Sequence, residues 1–118
     1  MYKILQSTDW SFLIGGEAIQ VAIGLHDVQV ALFKDLHISI WCDFEHKRAG
    51  KILSDAADMN VKAASLVSLL GKTVESVAVH GEEALVVQFS DDETLTIIVD
   101  DAPYECFTVN GPGGLLVV

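Results

Sequence analysis

The chain has 118 residues, 51% of them hydrophobic, and a formal net charge of −10. That length suits one domain with its own core, and the apolar content excludes a disordered chain. The charge disfavours nucleic acid and anionic membrane as partners, and no apolar run approaches the ~20 residues of a membrane helix.

The opening residues Met1 to Trp10 do not read as a secretory leader, since no basic segment precedes a long apolar one. Three strands with a period of two follow: Glu17–Ile23, Val28–Phe33 and Leu36–Trp41. Gly24 and the Lys34-Asp35 step fall where turns belong. The polar, basic stretch His46–Gly50 reads as a solvated loop, and Lys51–Asp58 as irregular with a helical turn at most. One helix is predicted over Val61–Leu70, with Asn60 as N-cap and Gly71 past its end. Strands then return at Val74–His80, Ala84–Phe89, Thr94–Val99, Tyr104–Val109 and Leu115–Val118.

The two strand-rich halves resemble each other. Laid without a gap, Leu13–Asp35 and Leu69–Asp91 share Leu13/Leu69, Gly15/Gly71, Val21/Val77, Ala22/Ala78, Val30/Val86, Phe33/Phe89 and Asp35/Asp91. A three-residue insertion, Asp92-Glu93-Thr94, then sets Leu36 over Leu95 and Ile38 over Ile97. A three-stranded meander cannot bury its apolar face alone, but two copies can. The expected fold is a single α+β domain over 1–118, mostly antiparallel. It holds two repeated β-meander units, 13–41 and 69–99, forming a β-sandwich or half-barrel with a helical linker within 51–70.

Cys42 and Cys106 each lie in a strand-like run and read as buried, reduced, small hydrophobes, which points to the cytoplasm. Neither cysteine nor His26, His37, His46 or His80 shows metal-ligand spacing, and the acidic runs lack the D-x-D-x-D-G pattern of a calcium loop. No G-x-S-x-G elbow and no helix or lysine behind the Gly111–Gly114 run marks a catalytic or phosphate site. No catalytic residue, metal or cofactor is therefore assigned.

Charge placement is more informative than its total. No Lys or Arg occurs from Thr73 to Val118, while nine acids do. The extra acids of the second copy, Glu82-Glu83 and Asp91-Asp92-Glu93, sit in its turns, and loops on a rigid scaffold commonly carry function. Glu82, Glu83, Asp91, Asp92, Glu93, Asp100, Asp101, Tyr104 and Glu105 form the candidate partner-binding set. Trp10, Trp41, Phe44, Tyr104 and Phe107, large groups near acids, are possible interface anchors.

The run Leu85-Val86-Val87-Gln88-Phe89-Ser90-Asp91, then Tyr104-Glu105-Cys106-Phe107 and Asn110-Gly111-Pro112, resembles a family of small bacterial proteins of unknown function. Their pattern is an L-x-L-x-F-S-D-G hairpin and a Y-E-S-W strand ending in a Gly-Pro turn. Asp92 stands in place of the turn glycine, and Cys106-Phe107 in place of Ser-Trp. The resemblance implies an immunity protein; with the acidic turns, the expectation is a cytoplasmic monomer or weak dimer, not an enzyme, that binds a basic toxin domain, plausibly a nuclease. The alternative is a small-ligand binder or enzyme with a pocket between the repeats, lined by His37, Trp41, Cys106 or Tyr104.

Overall fold

The computed structural model describes residues 9–33, 35–54, 58–81, 83–99, 106–111 and 114–117. Its strands, in chain order, are β1 (Ala18–Ile23), β2 (Val28–Leu32), β3 (Leu36–Ile40), β4 (Phe44–Arg48), β5 (Lys51–Ile52), β6 (Val74–His80), β7 (Ala84–Phe89), β8 (Glu93–Ile98), β9 (Phe107–Gly111) and β10 (Gly114–Val117). They form two antiparallel sheets, ordered β1-β2-β3-β9-β10 and β5-β4-β8-β7-β6. The mostly antiparallel fold with two meanders, read from the alternation, is what forms.

The order holds an exchange. The first meander, β1–β3, is completed by the hairpin β9–β10 of the second half. The second, β6–β8, is completed by the hairpin β4–β5 of the first half. Each half contributes five strands, and each sheet contains strands from both halves.

The halves meet about an approximate two-fold axis. The N–H of Gly15 donates to the Val74 carbonyl and that of Gly71 to the Ala18 carbonyl, both at 2.8 Å. The N–H of Ala18 donates to the Lys72 carbonyl and that of Val74 to the Gly16 carbonyl, both at 2.9 Å. Between them Glu17 and Thr73 form an isolated antiparallel bridge. Exchanging the halves exchanges these contacts. Gly15 and Gly71 have φ of +90° and +85° with open space where a Cβ would lie, so backbone conformation, not crowding, selects glycine at both. The register shifts between Ala18 and Gln20 in β1, and between Val74 and Ser76 in β6, are equivalent bulges.

Strand register corrects the gapless alignment. Ile23 pairs with Val28 in one hairpin and Val79 with Leu85 in the other, so the second turn is one residue longer. Val28, Val30 and Leu32 therefore correspond to Leu85, Val87 and Phe89, and all six are buried. The identities Val30/Val86 and Phe33/Phe89 joined inward to outward positions; Phe33 is 59% exposed and Phe89 is fully buried. The insertion at Asp92-Glu93-Thr94 disappears as well. Leu32 pairs with Leu36 and Phe89 with Glu93, so the intervening turns are equal in length and Glu93 corresponds to Leu36.

One core fills the space between the sheets. Val28, Val30, Leu32, Ile38, Ile40, Phe107 and Val109 come from the first sheet, and Phe44, Leu85, Val87, Phe89, Leu95 and Ile97 from the second. Burying a side chain of this size contributes about 1.5–3 kcal/mol. Trp10, Phe44 and Phe107 belong to this core and are not surface anchors; of the described anchor candidates, only Trp41 is exposed.

Three local readings also change. His46–Gly50 is not a loop: its residues build β4 and the turn into β5. The helix starts earlier, as α1 (Met59–Ala63) with Asp58 at the N-cap and Asn60 inside it, then tightens into a 3-10 helix over Ala64–Leu69. The tightening gives a period of three. Ala63, Leu66 and Leu69 are buried, Val61, Ala64, Val67 and Leu70 are exposed, and Lys62, Ser65 and Ser68 lie between. Finally, Cys42 and Cys106 are buried but form a disulfide, with Cα atoms 4.8 Å apart. The register of the two exchanged chains brings them together: both the Trp41 and the Cys42 N–H donate to the Cys106 carbonyl. The pairing removes the reduced-thiol argument for a cytoplasmic location. No helix among the described residues is long and apolar enough to cross a membrane.

Candidate functional site

The turn between β7 and β8 carries the clearest of the predicted site residues. Asp91 and Asp92 both lie in the left-handed region, with φ of 60° and 59°. Aspartate tolerates this conformation better than most residues because its short side chain bonds locally. The turn is held from three sides. The Ala49 N–H donates to the Asp92 carbonyl at 2.9 Å, the Ser90 N–H donates to the Thr73 carbonyl at 2.8 Å, and Lys72 pairs with the Asp91 carboxylate. The Lys72 hydrogen bond and charge hold the Asp91 carboxyl below the usual carboxylate range. Both acids are exposed, the Asp91 side chain by 71%.

Glu83 is also exposed, but in the β6–β7 turn, at the other end of β7. At about 3.3 Å per residue the six-residue strand separates the two turns by roughly 17 Å or more. The Val99 N–H donates to the Glu83 carbonyl at 2.7 Å. This end is thus beside the chain that continues into Asp100. Glu82, Asp100, Asp101, Tyr104 and Glu105 lie outside the described residues.

Glu93 is a correction. Its side chain is fully buried and cannot meet a partner surface. The period of β8 places it on the inner face with Leu95 and Ile97. Two donors of Arg48, Nε at 3.1 Å and Nη2 at 2.9 Å, converge on Oε1. His46 Nε2 and Ser68 Oγ, each at 2.9 Å, converge on Oε2. Four donors match the four lone-pair positions of a carboxylate. Burial alone would raise the Glu93 pKa, but the hydrogen bonds from His46, Ser68 and Arg48 and the Arg48 charge outweigh it, so its pKa falls below the ordinary 4.5.

The network continues through the ring. Ser65 Oγ donates to the Lys62 carbonyl at 2.9 Å, which uses its single proton. His46 Nδ1 lies 2.9 Å from that oxygen. Toward an ionised Glu93 the Nε2 atom donates. Both carboxylate oxygens are thus engaged. The network anchors the start of β8 and fixes the direction in which Asp91 and Asp92 leave the sheet.

The residues named for a pocket between the repeats do not converge in the described structure. His37 is exposed, Cys106 is bonded to Cys42, and the facing sheets meet through filled core positions. Tyr104 lies outside the described residues. Among the described residues no three His, Cys, Asp or Glu side chains are placed to hold a metal ion.

The sequence reading missed His46, Arg48, Ser65 and Ser68. Their signal was present: Ser65 and Ser68 are three apart on the helix, and Glu93 continues the alternation of Leu95 and Ile97 by one step. No family model, no curated protein and no solved structure matches the chain.

Proposed function

We propose that this protein is an immunity-type inhibitor that covers a basic toxin domain with its acidic turns. The observation that carries the reading is the Asp91–Asp92 turn. It puts two carboxylates into solvent on a backbone held by β4, β6 and a buried ion network, in a chain with a charge of −10. A preorganised pair of charges loses little conformational freedom on binding. A nuclease site that attracts phosphate also attracts such a turn, and long-range charge speeds the encounter. Glu83 and the acids near it in sequence supply a second acidic end.

The test is binding of the purified chain to the basic domain encoded beside its own gene, by calorimetry at low and high salt. The expected result is tight binding that weakens as salt rises. Replacing Asp91 and Asp92 by lysine should weaken it by about 2–5 kcal/mol if these charges are desolvated in the complex. Absence of a basic domain at that locus, or binding indifferent to salt and to both substitutions, overturns the proposal.

A further inference from the structure

Each exchanged hairpin enters its new sheet at an equivalent junction. Where β9 enters, the Trp41 N–H just after β3 donates to the Cys106 carbonyl at 2.8 Å. Where β4 enters, the Ile98 N–H at the end of β8 donates to the Asp43 carbonyl at 2.9 Å. Phe44 pairs with Ile97 as Phe107 pairs with Ile40, so Asp43 corresponds to Cys106. The fastenings differ. Lys62 of α1 pairs with the Asp43 carboxylate, donates to the Phe44 carbonyl at 2.8 Å and lies 5.0 Å from the Phe44 ring centroid. Farther along β4, His46 and Arg48 bond to Glu93. At the other junction the Cys42–Cys106 disulfide stands in place of these polar ties. Among the described residues no side-chain hydrogen bond or ion pair ties β9 to another element; its pairing with β3 and the buried Phe107 and Val109 hold it.

We propose that the Cys42–Cys106 bond is a redox-sensitive clasp on the β9–β10 hairpin. With the bond closed, the start of β9 cannot draw away from the end of β3. With two thiols in its place, β9–β10 can part from β3 while β4–β5 stays fastened to β8 by groups that no reductant alters. Local opening of this kind depends on what fastens a segment as well as on the stability of the whole. The chemistry is thiol–disulfide exchange. A dithiol reductant gives two electrons and two protons, the S–S bond breaks, two cysteine thiols form and the reductant becomes a disulfide. A disulfide oxidant reverses each change. Both cysteines are buried in the closed form, which shields their sulfurs. The open form exposes its thiols, so the clasp closes quickly, opens slowly and records the redox state in which the chain folds. The inference does not depend on the immunity reading.

Native-state hydrogen exchange of the full chain, folded with and without dithiothreitol, tests this. Reduction should lower the protection of amides joining β3 to β9 by at least about tenfold more than that of amides joining β4 to β8. Oxidised glutathione should restore it. Cys42→Ser with Cys106→Ser should hold the β3–β9 amides at the reduced level in either buffer. Lys62→Met should do the converse, lowering β4–β8 protection while the redox response at β3–β9 stays. Equal loss in both sheets, or a reduced chain that unfolds as a whole, would make the bond a general staple and overturn the proposal. No loss at β3–β9 on reduction, or a response there that vanishes with Lys62→Met, would overturn it as well.

Discussion

Two equivalent places in this molecule have opposite chemistry. At the start of β3, Leu36 lies one step beyond the His37–Asn110 pair with β9 and packs against Gly111. At the start of β8, Glu93 pairs with Arg48 of β4. Around Leu36 the equivalents are Val109 and Phe12; around Glu93 they are His46 and Ser68. One end is closed by hydrocarbon packed so tightly that a Cβ on Gly111 would lie 2.5 Å from a Leu36 methyl carbon. The other is closed by a carboxylate with four donors. A backbone duplicated almost residue for residue can thus be sealed by packing or by an ion network, and only the second leaves charged groups at the surface beside an acidic turn.

Exchanging one residue between the ends gives the largest expected effect. Glu93→Leu alone copies the apolar end but leaves the His46 ring buried without its carboxylate, and should cost about 3–5 kcal/mol. Chemical denaturation measures it. If the loss is under about 1 kcal/mol, the network contributes less than its geometry implies. Reducing the Cys42–Cys106 bond acts at the far end of β3 from Leu36. The loop-closure argument for a separation of 64 residues gives about 4 kcal/mol, read as a lower denaturation midpoint in dithiothreitol.

The apolar end should be less forgiving of added volume. Gly111→Ala should cost about 1–3 kcal/mol because Leu36 must move. Replacing Glu93, His46 and Ser68 together by their equivalents Leu, Val and Phe should recover most of what Glu93→Leu loses, since a buried ion pair exchanged for packed hydrocarbon is often neutral. Thermal unfolding of the three-site variant against the single one sharpens the comparison directly.

The ends should also differ in their response to acid. The folded pKa of Glu93 is depressed, so its contribution is fully present above about 4.5 and is lost as pH falls through the folded value. Wild type should lose stability in that window, and the three-site variant should lose less, as judged from urea midpoints between pH 6 and pH 3. The smallest effect belongs to the surface: Lys72→Ala removes one solvent-screened ion pair to Asp91 and should leave the denaturation midpoint nearly unchanged.

How much of this was legible follows from the residues. Period-two alternation gave both meanders because their inner positions are nearly all aliphatic. It failed at β4, where His46 faces inward and the outward neighbours are charged, so a strand read as a polar loop. It failed at Glu93 because a buried acid looks like a turn acid until its donors are known, and those come from β4 and the helix. The repeat was visible, but matching by identity set inward positions of one half over outward positions of the other. Pairing with β6 fixed what identity could not. The disulfide depends on the crossing of the two hairpins, which no local pattern encodes. Of the candidate site, Glu83, Asp91 and Asp92 stand exposed as read, while Glu93 turned inward.

The exchanged hairpins have a consequence for how the chain is made. As the protein emerges from its N-terminus, β1, β2 and β3 can pair at once, but the open side of β3 waits for β9, about seventy residues later. The β4–β5 hairpin, already synthesised, has no sheet to join until β8 appears. The second layer can be finished only when β8 emerges, and the first only with β9 and β10. Pairings this distant in sequence form slowly. For that interval the nascent chain presents two unpaired edges, and the order of synthesis, not only the final contacts, sets its exposure to aggregation.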